Sequence, residues 1–435
     1  MGHITLLSAF APFSSVGLLI IGSVVVIISY LFNLIARRFS IPSVLLLILL
    51  GVIAQLVVKF TGLESPNLTP ILEILGIVGL IMIVLEASLD LELSGDKRKL
   101  ISRAFFTALV TLVLASLLIA GIMIVYLDVD LTTGLLYAVP LSIMSSAIII
   151  PSVSALSKDK KEFMVYESTF SDILGIMLFY FLISSLESES IGQMSLAVLL
   201  NLTLTVVVSV TASYFLIFLF QKIRTELKLF LLIAVLILLY SLSKMLHLSS
   251  LLIILVFGMI LSNRQLFFPG KLRKFLDEDH MSTIFHNFKM ITLESSFIVR
   301  TFFFVIFGFT IVLASLLDLK VWIVSIAILG VLYGIRYAYF RVFIRKDIIP
   351  AVWMAPRGLI TILLYYSIPE HLWVEEFNPG ILLLVILVSS IVMAVSLMKH
   401  KTSLKQEVEL EVVSPSIGDK IADIPEIADD LRTEN

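Results

Sequence analysis

No cysteine occurs among the 435 residues, which excludes a disulfide framework and a thiolate metal site and leaves the compartment unreadable from redox chemistry. Charge is scarce as well: 15% of residues are Asp, Glu, Lys or Arg, and a net charge of -2 gives no reason to expect nucleic acid as a partner. No Lys or Arg precedes Arg37 and no small-residue cleavage site follows the first apolar run, so that run is expected to be retained and not cut as a signal peptide. The chain also lacks a Gly-x-Ser-x-Gly elbow, a His-Glu-x-x-His zinc motif and a Gly-x-x-x-x-Gly-Lys-Ser/Thr phosphate loop. Serine or zinc hydrolysis and ATP-driven pumping therefore have no support, and no cofactor is implied. None of the six histidines lies centrally in an apolar run, so a titrating group inside the membrane is expected to be a carboxylate.

What the chain does have is apolar surface. At 59% hydrophobic residues and a mean hydropathy of +1.08, no soluble core could hide it, and the lipid bilayer is the expected surrounding. Runs long enough to cross about 30 Å of hydrocarbon fall at roughly 14–36, 41–59, 70–92, 104–126, 132–156, 163–186, 195–221, 227–246, 248–262, 294–317, 320–343, 351–368 and 379–398. The reading is an all-α polytopic membrane protein with about thirteen spans. Lys and Arg concentrate in alternate loops, from Arg37 and Arg38 through Lys97 to Arg103, Lys158 to Lys161, Lys222 to Lys228, Arg264 to Lys289 and Arg341 to Lys346 to Lys399. That asymmetry places the N-terminus outside and the C-terminus in the cytoplasm of a cell membrane. Phe267, Phe268, Leu272, Phe275 and Leu276, interleaved with bases, fit an amphipathic surface helix in the 263–293 loop or, the favoured reading, plain surface packing. Residues 401–435, with nine acids against four bases, read as a mostly disordered cytoplasmic tail following a transmembrane domain over 1–400.

Two carboxylates break the apolar pattern of the 163–186 run. Asp172 falls about 13 Å into it, near the midplane, and Glu167 about 6 Å in. An ionisable group at such depth costs about 2.5–3.5 kcal/mol on insertion scales and marks an ion pathway or a proton relay. The two are about 140° apart around the helix and face different neighbours. Arg336 lies about 10 Å from the cytoplasmic end of its run, close in depth to Glu167, and an ion pair between them is expected, with Arg300 a competing partner. Glu86 and Asp90, near the cytoplasmic end of their run, are expected to be solvated.

With 195–221 as a linker helix, the remaining runs form two inverted six-helix repeats, over about 14–186 and 227–398. The fifth and twelfth runs then correspond, and both carry prolines: Pro140 and Pro151 flank Ser142-Ile143-Met144-Ser145-Ser146, and Pro350 and Pro356 flank Ala351 to Ala355. Proline removes a helix donor, so each run should be unwound near its middle, and two such discontinuous helices crossing beside a carboxylate would form an ion site. Arg357 is placed either to offset carbonyls freed by the break, the favoured reading, or to bind substrate.

With these residues on the page, the chain resembles the monovalent cation:proton antiporter superfamily, in particular its sodium/proton exchanger branch, over nearly all of residues 14–398. The resemblance rests on Ile41-Pro42, on Leu75-Gly76 through Ser88-Leu89-Asp90-Leu91, on Glu167-Ser168 through Ser171-Asp172, on Tyr333-Gly334-Ile335-Arg336 and on Ala355-Pro356-Arg357-Gly358-Leu359. It implies a homodimer with a six-helix core that moves like an elevator, and a site where Asp172, with Ser171, Ser145 and Ser146, binds a monovalent cation and a proton in turn. Two departures stand out. Ser145-Ser146-Ala147 replaces a threonine-aspartate-proline, and Ser171 replaces an asparagine or aspartate. The expected activity is exchange of Na⁺, or K⁺ or Li⁺, for H⁺, electroneutral because one carboxylate stays free. The alternative is a sodium-coupled symporter of an organic anion, which would need a larger polar cavity beside Ser142 to Ser146.

Overall fold

A computed structural model describes residues 15–413, apart from 40–41, 63–67, 92, 94–96, 154–155, 187–190, 223–227, 246–249, 269–277, 312 and 346–347. In hydrocarbon a backbone N–H or C=O has no water to turn to, so a long apolar segment closes its hydrogen bonds on itself as a helix. Among the described residues fourteen helices of seven residues or more follow from this rule: α1 Ser15–Phe39, α2 Ser43–Phe60, α3 Thr69–Asp90, α4 Arg98–Leu127, α5 Leu131–Ser142, α6 Ser146–Ser152, α7 Lys158–Leu186, α8 Ile191–Lys222, α9 Lys228–Met245, α10 Ser250–Ser262, α11 Glu278–Thr310, α12 Leu319–Tyr339, α13 Leu359–Tyr366 and α14 Gly380–Val413. Among the described residues nine stretches are long and apolar enough to cross a membrane, and shorter apolar helices cover Thr203–Leu219, Phe230–Ser243 and Ile253–Ser262. The architecture is all-helical, as the hydropathy pattern requires.

Some boundaries differ from the sequence reading. Helix α11 begins at Glu278, well inside the stretch read as a loop, so Lys289 sits on a helix and not in a connection. The proposed surface helix reduces to one turn, Arg264–Phe267, while 269–277 lie outside the described residues. Helix α14 continues to Val413, and the rest of the acidic tail, 414–435, lies outside the description.

The helices pack in two groups. In one, α4 lies against α5, α7 and α12, α7 also contacts α5 and α6, and α12 contacts α14. In the other, α11 packs on α2 and α3, and α10 on α3 and α8. Helix α13 bridges them, touching α5 and α7 on one side and α3 on the other. Helix α1 is the least covered: Leu19 is 72% and Tyr30 61% exposed, which costs little where the neighbour is lipid tail as apolar as leucine. Its anchor is polar, a 2.7 Å hydrogen bond between the buried hydroxyls of Ser29 and Thr301.

The first discontinuous helix enters through a firm cap. Asp130 accepts from the Thr132 N–H at 2.9 Å and from the Thr133 hydroxyl at 2.6 Å, which starts α5. The Thr133 bond holds the Asp130 carboxyl below the ordinary range, so the cap stays ionised at neutral pH.

Candidate functional site

The first break is three residues long. Helix α5 ends at Ser142, the backbone is extended at Ile143 and Ser145, and α6 resumes at Ser146. The amides freed there go to other elements. The Met144 N–H donates to Ser171 Oγ at 2.9 Å, the Ser146 N–H to Asp172 Oδ2 at 3.1 Å, and the Ser145 N–H to the Pro356 carbonyl at 2.9 Å. Two adjacent residues of α7 thus hold the unwound segment. They can do so because Gly175, one turn on, lets it approach: a Cβ there would lie 2.2 Å from Ile143 Cγ1. Gly175→Ala is therefore expected to push Ile143 off α7 and to cost about 1–3 kcal/mol of overpacking. It should lower both the melting temperature in detergent and transport by reconstituted protein, and an unchanged melt would show that the segment relaxes freely.

The second break is held to the first. After the turn Ala351–Trp353 the chain is non-helical until α13 begins at Leu359. Gly358 passes so close to the first break that a Cβ would meet Ser145 Oγ at 2.6 Å. Arg357, buried at 4% exposure, donates from Nε to the Leu141 carbonyl at 2.9 Å and from Nη1 to the Ala355 carbonyl at 2.8 Å. Its charge therefore sits at the negative end of α5, as expected for a residue offsetting freed carbonyls. Its own N–H donates to Ser389 Oγ of α14 at 3.0 Å.

Glu167 is paired with Arg336. Nη1 meets Oε1 at 2.5 Å and Nη2 meets Oε2 at 2.9 Å, the bidentate geometry of a strong guanidinium–carboxylate pair. Nε and Nη2 also donate to the Ala351 carbonyl, at 3.0 and 2.9 Å, so Arg336 joins α7 to the approach of the second break. Arg300 is elsewhere, 3.9 Å from Glu86.

Asp172 is left with one oxygen satisfied. Oδ1 is buried without a hydrogen-bond partner, and so are the hydroxyls of Ser145 and Thr169. A cavity of about 20 Å³ is lined by Ser142, Met144, Glu167, Ser171, Arg336 and Arg357 among others, with room for about one water-sized occupant; Asp172, Ser145 and Thr169 are not part of its lining. A second, larger cavity of about 490 Å³, lined by Thr310, Ser315, Tyr366, Glu375 and Glu376, shares none of those residues. Among the described residues no three His, Cys, Asp or Glu converge.

The model of the family described as "Sodium/hydrogen exchanger, transmembrane" matches residues 23–399. This chain belongs to the sodium/hydrogen exchanger family. Its fold resembles the structure of the sodium proton antiporter MjNhaP1 from Methanocaldococcus jannaschii at pH 8, with a TM-score of 0.64 at 19% identity over 90% of this chain and 98% of that one. An electron-microscopy structure of the same antiporter aligns with a TM-score of 0.63 at 18% identity, covering 93% of this chain and all of the other. No curated protein matches the sequence significantly. Membership makes the exchanger a multi-pass membrane transporter and not a catalyst of covalent chemistry.

The exchanger's remaining membrane charges correct the sequence reading. Glu86 and Asp90 are not simply solvated: Glu86 accepts from the Ser296 hydroxyl, and Asp90 pairs with Lys289 at 2.7 Å. Both links join α3 to α11. Ser389, which holds the Arg357 backbone, was missed altogether, and the close approaches at Gly175 and at Gly358, the latter quoted only as part of a motif, were not foreseen. For Ser389 the only signal was a serine pair, Ser389-Ser390, in the middle of an apolar run.

Proposed function

We propose that the protein is a secondary antiporter that exchanges one Na⁺ for one H⁺, with Asp172 holding either in turn. The observation that carries this is the unpartnered Asp172 Oδ1 at the crossing of the two broken helices, next to unpartnered hydroxyls of Ser145 and Thr169. A buried carboxylate oxygen with no donor needs either its own proton or a cation, so the two occupants compete for one place. Ser146 fixes the other oxygen, Ser171 fixes the break, and Ser145 supplies a neutral oxygen ligand. The small cavity supports a dehydrated ion over an organic anion and so favours antiport over symport. The α4 to α7, α12 and α14 group would carry the site as a core sliding against the α2, α3, α10 and α11 group, in a homodimer in the cell membrane with its C-terminus in the cytoplasm. Purified protein in liposomes with a trapped pH dye, pulsed with Na⁺, K⁺ and Li⁺ in turn, tests the reading: Na⁺ should drive alkalinisation or acidification according to its gradient, and failure of all three ions would refute it.

Exchange is expected to be electroneutral. With Glu167 neutralised by Arg336, the site carries the same charge with H⁺ as with Na⁺. An imposed potential of about 100 mV, worth roughly 2.3 kcal/mol per net charge moved, should leave the exchange equilibrium in place. A strong shift with voltage would mean a second titrating group.

A further inference from the structure

The Arg336 guanidinium is gripped at its edges by Glu167 and the Ala351 carbonyl, and its face meets a third group. The Phe340 ring lies 4.6 Å from Cζ to centroid. That ring is 1% exposed and is itself met edge-on by Phe163 of α7, at 6.2 Å and 84°. The backbone at this point is unusual. Helix α12 ends at Tyr339, the next five residues, Phe340–Ile344, form a π turn, and the Phe340 N–H is directed at the carbonyls of both Arg336 and Tyr337. Single π turns are rare and occur frequently at functional sites.

We propose that Phe340 is a positioning residue for exchange, its ring holding the Arg336 guanidinium against Glu167 and away from the cavity lined by Ser171, the residue before Asp172. Three observations combine. Arg336 already lines that cavity together with Ser171 and Met144, so a released guanidinium shifts toward the residues that hold the first break. Its pair with Glu167 fixes only two edges, and rotation about the pair is checked by the ring below. A guanidinium shifted toward that cavity and away from Glu167 would bring an unneutralised positive charge to the Ser171 side of the site, and repulsion would weaken cation binding before it altered the fold. A cation over a desolvated aromatic face is held by the ring's electron density, in addition to its shape.

That distinction supplies the test. Phe340 is replaced by mono-, di- and trifluorophenylalanine, which keep the ring's shape and drain its face, and by Leu, Tyr and Trp. Each variant is reconstituted in liposomes and its Na⁺-driven proton flux titrated against Na⁺, alongside melting in detergent. The KM for Na⁺ should rise stepwise with fluorination, by roughly threefold to tenfold at three fluorines, with melting nearly unchanged. Phe340→Leu should raise it at least as far, and Phe340→Tyr and Phe340→Trp should stay near the parent. The inference rests on Asp172 being the Na⁺ site, and the two fail differently. If the parent's flux is not saturable by Na⁺ or survives Asp172→Asn, the site assignment falls. If those controls hold and the fluorinated series keeps the parent KM, Phe340 is packing alone and the inference is overturned, whatever Phe340→Leu does to stability.

Discussion

Replacing Asp172 by asparagine is expected to abolish cation-driven proton flux in liposomes while the protein still folds, purifies and melts near the parent. The amide keeps the carboxylate's volume and still offers an oxygen to the Ser146 N–H, so the first break retains its tie to α7. What disappears is the group that, in the proposed exchange, holds a proton in one half of the cycle and balances a cation in the other. The other carboxylates discussed above are engaged. Glu167 is engaged on both oxygens by Arg336, and Glu86 and Asp90 belong to the α3 to α11 contacts. Substantial residual exchange by the asparagine variant would move the site elsewhere.

The second large effect should be on stability. Glu167→Gln removes one partner of a pair in which Glu167 is 1% exposed and Arg336 4%. Breaking a buried pair from one side typically costs about 3–5 kcal/mol because the other charge is stranded. Arg336 keeps the Ala351 carbonyl, but a carbonyl cannot neutralise it. The melting temperature in detergent should therefore fall markedly, while the KM for Na⁺ in the surviving folded fraction changes less. An unchanged melt with a greatly altered KM would reverse the assignment and make Glu167 part of the transported charge.

How far these features could be read from sequence depended on how local their causes are. The helices were legible because lipid forces every long apolar run to satisfy its own backbone. The Glu167 to Arg336 pair was legible because depth along two runs is a ruler of about 1.5 Å per residue. The breaks were legible in position but not in cause. Pro140 and Pro151 both lie inside helical segments, and the unwinding falls between them, at Ile143 to Ser145. What stabilises it is a set of acceptors on α7 and on the second broken helix that proline content does not report. The links of Glu86 to Ser296 and Asp90 to Lys289 were illegible for a similar reason: they join residues about 200 positions apart on helices whose pairing no short pattern encodes. Phe340 lies between the two cases, since its spacing of four from Arg336 was visible but the π turn was not.

The hydrogen bonds that tie the two broken helices at their crossing, Ser145 N–H to Pro356 and Arg357 to Leu141, are all within the protein. None of them draws on whichever ion Asp172 carries, so loading Na⁺ or H⁺ need not rebuild the crossing. A site built this way has no intrinsic polarity between one side of the membrane and the other. For one-for-one exchange the direction of flow is then set by the two ion gradients alone, and the process is freely reversible. Each unit of pH difference across the membrane would sustain an opposing sodium ratio of about tenfold. The same protein would expel sodium or recover from acid load according to nothing but the solutions on its two sides.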